Sequence, residues 1–222
     1  MRRGTASCAW APGDLAVAGE GLGLAIAGQT LLAPTDVALG RGAALSVTGP
    51  NGSGKTTLLR LVAGLERPSA GRVAVLGWVP DLRNGAFRAA TARLVAPLPF
   101  SFRLTMLEHL VLVGLTWGYA GGEARSRAWA ILEALMMTDT APQYPHELST
   151  GQAQCLALAA TLIRPFDVAF VDEPERALDQ ERLGAVGALL ADRVKAGAAL
   201  LVATHARSLV AALGGAELRL GS

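Results

Sequence analysis

The segment 49–56, which reads GPNGSGKT, is the feature that most restricts what this chain can fold into. It directly follows the apolar run 43–48, predicted as a short buried strand, and leads into 55–65, predicted as a helix. In this arrangement the N–H groups of the glycine-rich turn and the positive end of the helix point at one anion site. The pattern G-x-x-x-x-G-K-[ST] in this setting predicts an α/β fold with a phosphate-binding loop.

The residue types of this loop suit a nucleoside triphosphate. Glycine permits the turns that aim successive N–H groups at phosphate oxygens. Lys55 is one of only two lysines in the chain, and it can place a compact charge on the terminal phosphates, while the Thr56 hydroxyl can ligate magnesium. The alternative, a glycine-rich turn ahead of an unrelated helix, gives no reason for a lysine here. We therefore expect the chain to bind a nucleoside triphosphate.

The composition argues against two classes of protein. Hydrophobic residues make up 51% of the 222 residues, and the mean hydropathy is positive, as in many membrane proteins. The sequence nevertheless contains no uninterrupted apolar stretch of about 18 residues, so no membrane-spanning helix is expected. The net charge is +2 and the arginines are scattered without a basic stripe, so no nucleic-acid partner is expected.

The segment 148–152, LSTGQ, has two compatible interpretations. Ser149, followed three residues later by Gln152, forms a capping box ahead of the apolar run 153–163 and predicts a helix start. A capped helix start with a small turn is also an anion site, so the same segment can bind phosphate. Cys155 lies inside the apolar run and is expected to be a small buried residue.

The segment 168–174, VAFVDEP, predicts a buried strand that ends in two carboxylates and is stopped by a proline. An acid at the end of a core strand beside a phosphate loop can hold magnesium through water, which suits Asp172. Glu173 is then placed to orient or deprotonate the attacking water. An ordinary strand end with solvated acids is the alternative.

A second apolar strand is predicted over 198–203, and it ends in Thr204 and His205. A histidine at the carboxyl end of a strand in an α/β sheet lies where ligands bind. Taken alone, a histidine at such a position is more often a structural turn residue.

Five motifs follow one another in order: the phosphate loop, LSTGQ, the apolar strand with its two carboxylates, ALD at 177–179, and the Thr-His pair. This order resembles the nucleotide-binding domain of ABC transporters over about 15–220. The resemblance implies an α/β fold: a P-loop NTPase core with a mostly parallel sheet, a small N-terminal antiparallel β region and an inserted helical subdomain.

The resemblance also implies a domain organisation, in which the whole chain, 1–222, forms one ABC-type ATP-binding domain. The expected segments are a core at about 15–96 and 164–222, which begins with an N-terminal β region at about 15–39, and a helical subdomain at about 97–163. Within this subdomain, the spacing of apolar residues predicts helices at 104–119 and 123–139.

Roles for individual positions follow from the resemblance. Glu173 corresponds to the catalytic carboxylate, and His205 corresponds to the residue that contacts the γ-phosphate. Asp172 and Thr56 correspond to the magnesium site, so ATP and Mg²⁺ are the implied ligands and ATP hydrolysis is the implied activity. The implied nucleotide-binding positions are Gly49, Pro50, Asn51, Gly52, Ser53, Gly54, Lys55, Thr56, Thr57, Ser149, Gly151 and Gln152.

Two partners are implied in the same way. In the family, the residues corresponding to Ser149, Gly151 and Gln152 act on ATP held by a second nucleotide-binding domain. A second ABC ATPase subunit, identical or a sister, is therefore needed to complete a site. A separately encoded transmembrane permease is the other implied partner, with this chain bound peripherally at the cytoplasmic face of the cell membrane.

Three positions depart from the family pattern. Ala96 or Pro97 stands where the family usually has a glutamine that ligates magnesium and links to the permease. The stretch 24–28, LAIAG, lacks the aromatic residue that usually stacks on adenine, and Arg176 replaces a small residue. Two alternatives stay open: a catalytically weak ATP-binding subunit that supports an active partner, and a soluble ABC ATPase that acts on translation or DNA.

Phe100 and Phe102 lie where the family loop meets the permease. If the segment is extended, alternation places both rings on the same side, where they form a single exposed aromatic patch for a permease helix. The alternative is that both rings pack in the core of the helical subdomain.

Overall fold

The computed structural model describes residues 13–96 and 98–221. Predictions at Pro97, including the start of the helical subdomain, lie outside these residues. The strands in the described ranges are β1 (Leu15–Ile26), β2 (Gln29–Gly40), β3 (Ala44–Thr48), β4 (Ala70–Val75), β5 (Thr91–Leu94), β6 (Val168–Asp172), β7 (Ala199–Ala203) and β8 (Ala216–Arg219).

The helices lie mainly between the phosphate loop and the last strands. Among the described residues, no helix combines the length and the apolar character that are needed to cross a bilayer. The helices are α1 (Lys55–Val62), α2 (Gly85–Ala90), α3 (Met106–Thr116), α4 (Gly121–Ala134), α5 (Thr150–Leu162), α6 (Gln180–Lys195) and α7 (Arg207–Leu213), with 3₁₀ turns at Thr138–Thr140 and Pro145–Glu147.

The described strands form two sheets. The larger sheet has the strand order β5–β6–β7–β3–β8, and each neighbouring pair is parallel. In the smaller sheet, β1 pairs antiparallel with both β2 and β4. The predicted fold class is therefore confirmed. Strand β4 was not predicted from the sequence, because only its second half is buried and its apolar run is short.

The central parallel strands consist of small and branched apolar residues that are buried on both faces. Alternate residues of β6 enter two different clusters: Phe170 packs with the smaller sheet and α1, and Val171 packs with the helices on the other face. Each large apolar side chain buried in this way stabilises the fold by roughly 1.5–3 kcal/mol. These two clusters fix the strand ends that carry the polar residues.

Helix α5 connects the helical subdomain to the parallel sheet. It is buried along most of its length, and the predicted burial of Cys155 within it is confirmed. Its side chains share a cluster with those of α3, α4 and β6. This packing therefore sets the position of the LSTGQ segment, at the N-terminus of α5, relative to the end of β6.

Several helices are shorter than predicted, and local backbone geometry explains where they end. Helix α1 ends at Val62 instead of residue 65, since Gly64 adopts φ +73° in the left-handed region. Thr105 starts α3 through a capping box with Glu108. Met136 adopts φ +57° just after α4, so the helical path cannot continue to residue 139.

The expectation that Phe100 and Phe102 share one side is wrong. Phe100 is partly buried against the cluster formed by α3, α4 and α5, and it meets His109 edge-to-face at a centroid distance of 5.2 Å. Phe102 is 72% exposed. The segment between them is not extended, because the Ser101 hydroxyl accepts a hydrogen bond from the Arg103 N–H at 3.2 Å and turns the chain.

Candidate active site

The predicted site residues meet at one edge of the parallel sheet. Strands β6, β7 and β3 are neighbours, and because they are parallel their carboxyl ends lie together. The phosphate loop follows β3, Asp172 ends β6, and His205 follows β7. The N–H of Thr204 donates to the carbonyl of Val47 at 3.1 Å and ties two of these ends together. This edge is where α/β sheets bind ligands.

The phosphate loop adopts a backbone that favours glycine at two positions. Gly49 has φ +138°, and a Cβ there would collide with the carbonyl oxygen of Leu220. Gly54 has φ +98°, and a Cβ there would lie 2.8 Å from the side chain of Leu32. Both conformations lie in the region that residues with a Cβ rarely adopt. The glycines of the motif therefore give the loop a curvature that presents N–H groups to an anion.

Lys55 and the start of α1 supply the positive charge of the loop. Lys55 is only 5% exposed, and its ammonium donates to the carbonyls of Gly49 and Pro50, each at 3.0 Å. A phosphate would offer this ammonium a stronger, charged acceptor. The first turn of α1 has no acidic residue, so no side chain there neutralises the positive end of the helix. Thr56 is exposed in this turn, and Thr57 is half-buried.

Asp172 lies where a magnesium ion fits. Its Oδ1 is buried and has no hydrogen-bond partner. Burial raises the pKa of Asp172, a hydrogen bond with Thr56 opposes this, and the charge of Glu173 raises the pKa further. A buried carboxylate oxygen without a partner is costly, and a cation at this position would remove that cost.

The donor set agrees with this interpretation. The Thr56 hydroxyl and the Asp172 carboxylate are oxygen ligands of the kind that Mg²⁺ prefers, usually together with phosphate oxygens and water. Within the described ranges, no three His, Cys, Asp or Glu side chains gather into a metal site of their own.

Glu173 and His205 form the polar pair of the site. His205 Nε2 lies 3.6 Å from Glu173 Oε1, and the two side chains are 40% and 41% exposed. Glu173 has φ +45°, which is strained for a residue with a Cβ, and its N–H donates to the carbonyl of Ala203 at 2.9 Å. The end of β7 thus holds this acid in a strained conformation, as is common at functional sites.

Glu175 is a site residue that the sequence did not predict. Its Oε1 accepts hydrogen bonds from the Thr204 hydroxyl and from the His205 N–H, each at 2.7 Å. Its Oε2 is buried without a partner. This carboxylate joins the segment after β6 to the turn that carries His205. The only signal in the sequence is a third acid close to Asp172 and Glu173.

The capping box predicted at Ser149 is confirmed. The Ser149 hydroxyl accepts from the Gln152 N–H at 3.3 Å, and the Gln152 side-chain oxygen accepts from the Ser149 N–H at 2.8 Å. Gly151 is buried, and a Cβ there would collide with the carbonyl of Ala177. These three residues therefore sit against the segment after β6. Among the described residues, no hydrogen bond joins these three residues to the phosphate loop.

Two of the three departures from the family pattern meet in the structure. Ala96 and Arg176 line one cavity of about 200 Å³, together with Asp172 and Glu173. The third departure lies at the end of β1, where Ile26 is 52% exposed.

Comparison with known proteins identifies the family. The family model described as ABC transporter matches residues 32–176, which include the phosphate loop, LSTGQ and the two carboxylates at the end of β6. The chain belongs to the ABC transporter family. This ABC ATPase is 32% identical to the lipoprotein-releasing system ATP-binding protein LolD of Bacteroides thetaiotaomicron, over 86% of this chain and 90% of that protein.

Other relatives and solved structures agree with this assignment. The ABC ATPase is 38% identical to the aliphatic sulfonates import ATP-binding protein SsuB of Burkholderia ambifaria, over 76% of this chain but only 49% of that protein. It resembles a dimeric ATP-binding cassette in a post-hydrolysis state, bound to ADP and Pi, with a TM-score of 0.79 and 25% identity. That likeness covers 92% of this chain and 94% of that chain. The prediction of an ABC-type ATPase subunit of a transporter is confirmed.

Proposed function

We propose that this ABC ATPase hydrolyses Mg²⁺-bound ATP with Glu173 as its general base. Two such subunits would drive transport through a separately encoded permease at the cytoplasmic face of the membrane. The observation that carries the proposal is the 3.6 Å approach of His205 to Glu173, at the sheet edge that also carries Lys55 and Asp172. The names of the relatives, which describe release and import systems, favour transport over a role in translation or DNA maintenance.

The chemistry requires a water molecule in line with the bond that breaks. The water oxygen forms a bond to the γ-phosphorus, and the bond from that phosphorus to the β–γ bridging oxygen breaks. ADP leaves with the electron pair of that bond, and the proton of the water passes to the Glu173 carboxylate. His205 follows β7 with its Nε2 3.6 Å from the Glu173 Oε1, and from this position it would contact the terminal phosphate. The products are ADP and inorganic phosphate.

The charge of the nucleotide is matched by groups of the phosphate loop. Lys55 exchanges the carbonyls of Gly49 and Pro50 for phosphate oxygens, and the start of α1 adds its N–H groups. Thr56 and Asp172 would hold magnesium, which neutralises phosphate charge when it is bound. The orphaned Oδ1 of Asp172 supports this role.

The second subunit follows from the placement of the LSTGQ segment. Ser149 is exposed, and it and Gln152 satisfy each other's backbone N–H groups without contacting the loop of their own chain. A helix start of this kind is free to meet the phosphates of another copy. Each site would therefore be completed by Ser149, Gly151 and Gln152 of a second ABC ATPase.

A groove between the helical subdomain and the sheet is the proposed permease contact. It encloses about 440 Å³ and is lined by apolar side chains, including Phe100, and by Arg93 and Arg164. Burial and the neighbouring charge of Arg93 lower the pKa of Arg164 to about 10. No carboxylate lines the groove within the described chain. An amphipathic permease helix with an acidic residue matches these features. Phe102, exposed on the adjacent loop, would extend the contact.

The experiment that tests the function is an ATPase assay of the subunit purified with its permease. Lys55→Ala removes the ammonium group that would contact the terminal phosphates. Such a donor is worth about 3–4 kcal/mol, so the substitution should abolish turnover. The chain supplies a matched control in its other lysine, because Lys195→Ala removes only a surface contact with Asp192. Turnover in Lys55→Ala equal to that in Lys195→Ala would contradict the assignment of the loop.

The rival function is a subunit that binds ATP but hydrolyses little of it. Ala96, in place of a polar side chain, favours this rival, whereas the pairing of Glu173 with His205 favours an active subunit. The wild-type assay separates the two functions. Measurable ATP binding without turnover in the assembled complex would favour the rival.

A further inference from the structure

A small cavity beside Asp172 and Glu173 carries a basic residue to which no role has been assigned. The cavity has a volume of about 200 Å³, and Ala96, Gln154 and Arg176 also line it. Ala96 is exposed and contributes only a methyl group, and the Gln154 amide donates to the Glu173 carbonyl at 3.2 Å. Arg176 is the one positively charged residue among the described residues that line this cavity.

The backbone after β6 explains why Arg176 shares a cavity with Glu173. The Arg176 N–H donates to the Glu173 carbonyl at 3.1 Å and closes a tight turn. Glu173 and Ala177, on either side of this turn, have φ values of +45° and +60°. The segment is therefore bent back on itself, and residues three positions apart meet the same space.

The negative charges that line the cavity favour a positively charged group beside them. The carboxylates of Asp172 and Glu173 both line it, and the only other charged side chain in the lining, among the described residues, is that of Arg176. A terminal phosphate beside this cavity would add negative charge to the two carboxylates that line it. Arg176 is exposed and has no ion-pair partner among the described residues, so its guanidinium is available to a ligand.

We propose that Arg176 contacts the terminal phosphate of ATP bound in the phosphate loop of its own chain and stabilises the charge that develops during hydrolysis. This inference rests on the proposed function. A guanidinium binds two phosphate oxygens in a fixed fork, and it keeps its charge throughout the reaction. Arg176 and Ala96 line the same cavity beside Asp172 and Glu173, and Ala96 contributes no polar group to it. Arg176 is thus a catalytic residue that compensates for the missing polar side chain at residue 96.

The test compares Arg176→Ser with Arg176→Lys, and uses Arg125→Ser as a matched control because Arg125 is exposed on α4, away from the cavity. In the subunit–permease complex, Arg176→Ser should lower kcat by about 10²-fold, as loss of a charge-stabilising donor does. Arg176→Lys, which keeps the charge without the fork, should recover part of that loss. Arg125→Ser should match wild type.

A second readout separates phosphate contact from a structural role. On the purified subunit, Arg176→Ser should weaken binding of a non-hydrolysable ATP analogue by about tenfold and leave ADP binding unchanged, since ADP lacks the contacted phosphate. Equal weakening for both nucleotides, or turnover in Arg176→Ser within about threefold of wild type, would overturn the inference. If wild type itself neither binds nor hydrolyses ATP, the proposed function fails instead, independently of Arg176.

Discussion

Glu175→Ala provides a quantitative test of how the His205 turn is held. The wild-type carboxylate accepts two short hydrogen bonds, from the Thr204 hydroxyl and the His205 N–H, each at 2.7 Å. Hydrogen bonds to a charged acceptor contribute about 1.5–3 kcal/mol each, and the Thr204 side chain is fully buried. Removal of the carboxylate also relieves repulsion with Asp172, whose pKa is raised partly by Glu175.

These opposing effects give an expected loss of about 3 kcal/mol in the free energy of unfolding for Glu175→Ala. Glu175→Gln retains an acceptor oxygen without the charge, so we expect a smaller loss of about 1 kcal/mol. Turnover should fall in the same order, because His205 loses its backbone anchor beside Glu173. Glu133→Ala, at an exposed position on α4, is the matched control for removing a carboxylate.

The assay is urea unfolding of the purified subunit, combined with ATPase activity of the complex. We expect both the free energy of unfolding and the ATPase activity to be well below those of Glu175→Gln when Glu175 is replaced by alanine. A free energy of unfolding for Glu175→Ala within about 0.5 kcal/mol of the Glu133→Ala control would refute this expectation, because a surface substitution alone has an effect of that size.

The remaining predictions concern the permease contact and the buried thiol. Phe102→Ala should reduce copurified permease without changing the thermal midpoint. Phe100→Ala should lower the midpoint through loss of about 2 kcal/mol of packing against the helices, since its ring is only partly buried. Identical effects of both variants would contradict the different environments of the rings. Burial raises the pKa of Cys155 to about 11, so in a Cys8→Ser background a thiol reagent at pH 8 should label the native protein about 10²-fold more slowly than the unfolded protein. The folded pKa of Cys155 exceeds that of the unfolded thiol, so burial of the neutral thiol contributes to the free energy of unfolding. That contribution is fully present below pH 9.0 and is lost as the pH rises towards 11. Labelling of the native protein at the rate of the unfolded protein would show that Cys155 is accessible.

The sequence was most informative where local pattern and burial coincide. The apolar runs of β3, β6 and β7 needed no long-range information, because strands covered on both faces carry continuous apolar sequence. The capping box at Ser149 could also be predicted from the sequence, because both of its hydrogen bonds join residues that are three positions apart. Four of the five motifs therefore fall on the elements that the sequence indicated, and the fifth, at 177–179, lies just before α6.

The missed features depend on contacts between distant residues or on an unexpected turn. Glu175 reaches residues 29 and 30 positions away, and no periodicity encodes that contact. The shared side expected for Phe100 and Phe102 assumed an extended backbone, but the Ser101 hydroxyl turns the chain between them. The meeting of Ala96 and Arg176 in one cavity likewise required the packing of β5 beside β6.

Glu173→Gln in the assembled transporter tests the central claim most directly, namely that this chain supplies its own general base. The substitution keeps the shape of the side chain and removes the proton acceptor, so ATP binding should persist while turnover falls by about 10²-fold or more. The ATP-bound pair of subunits should accumulate, which size-exclusion chromatography with ATP can detect. Turnover equal to that of wild type would show that Glu173 is not the base and that hydrolysis depends on another subunit.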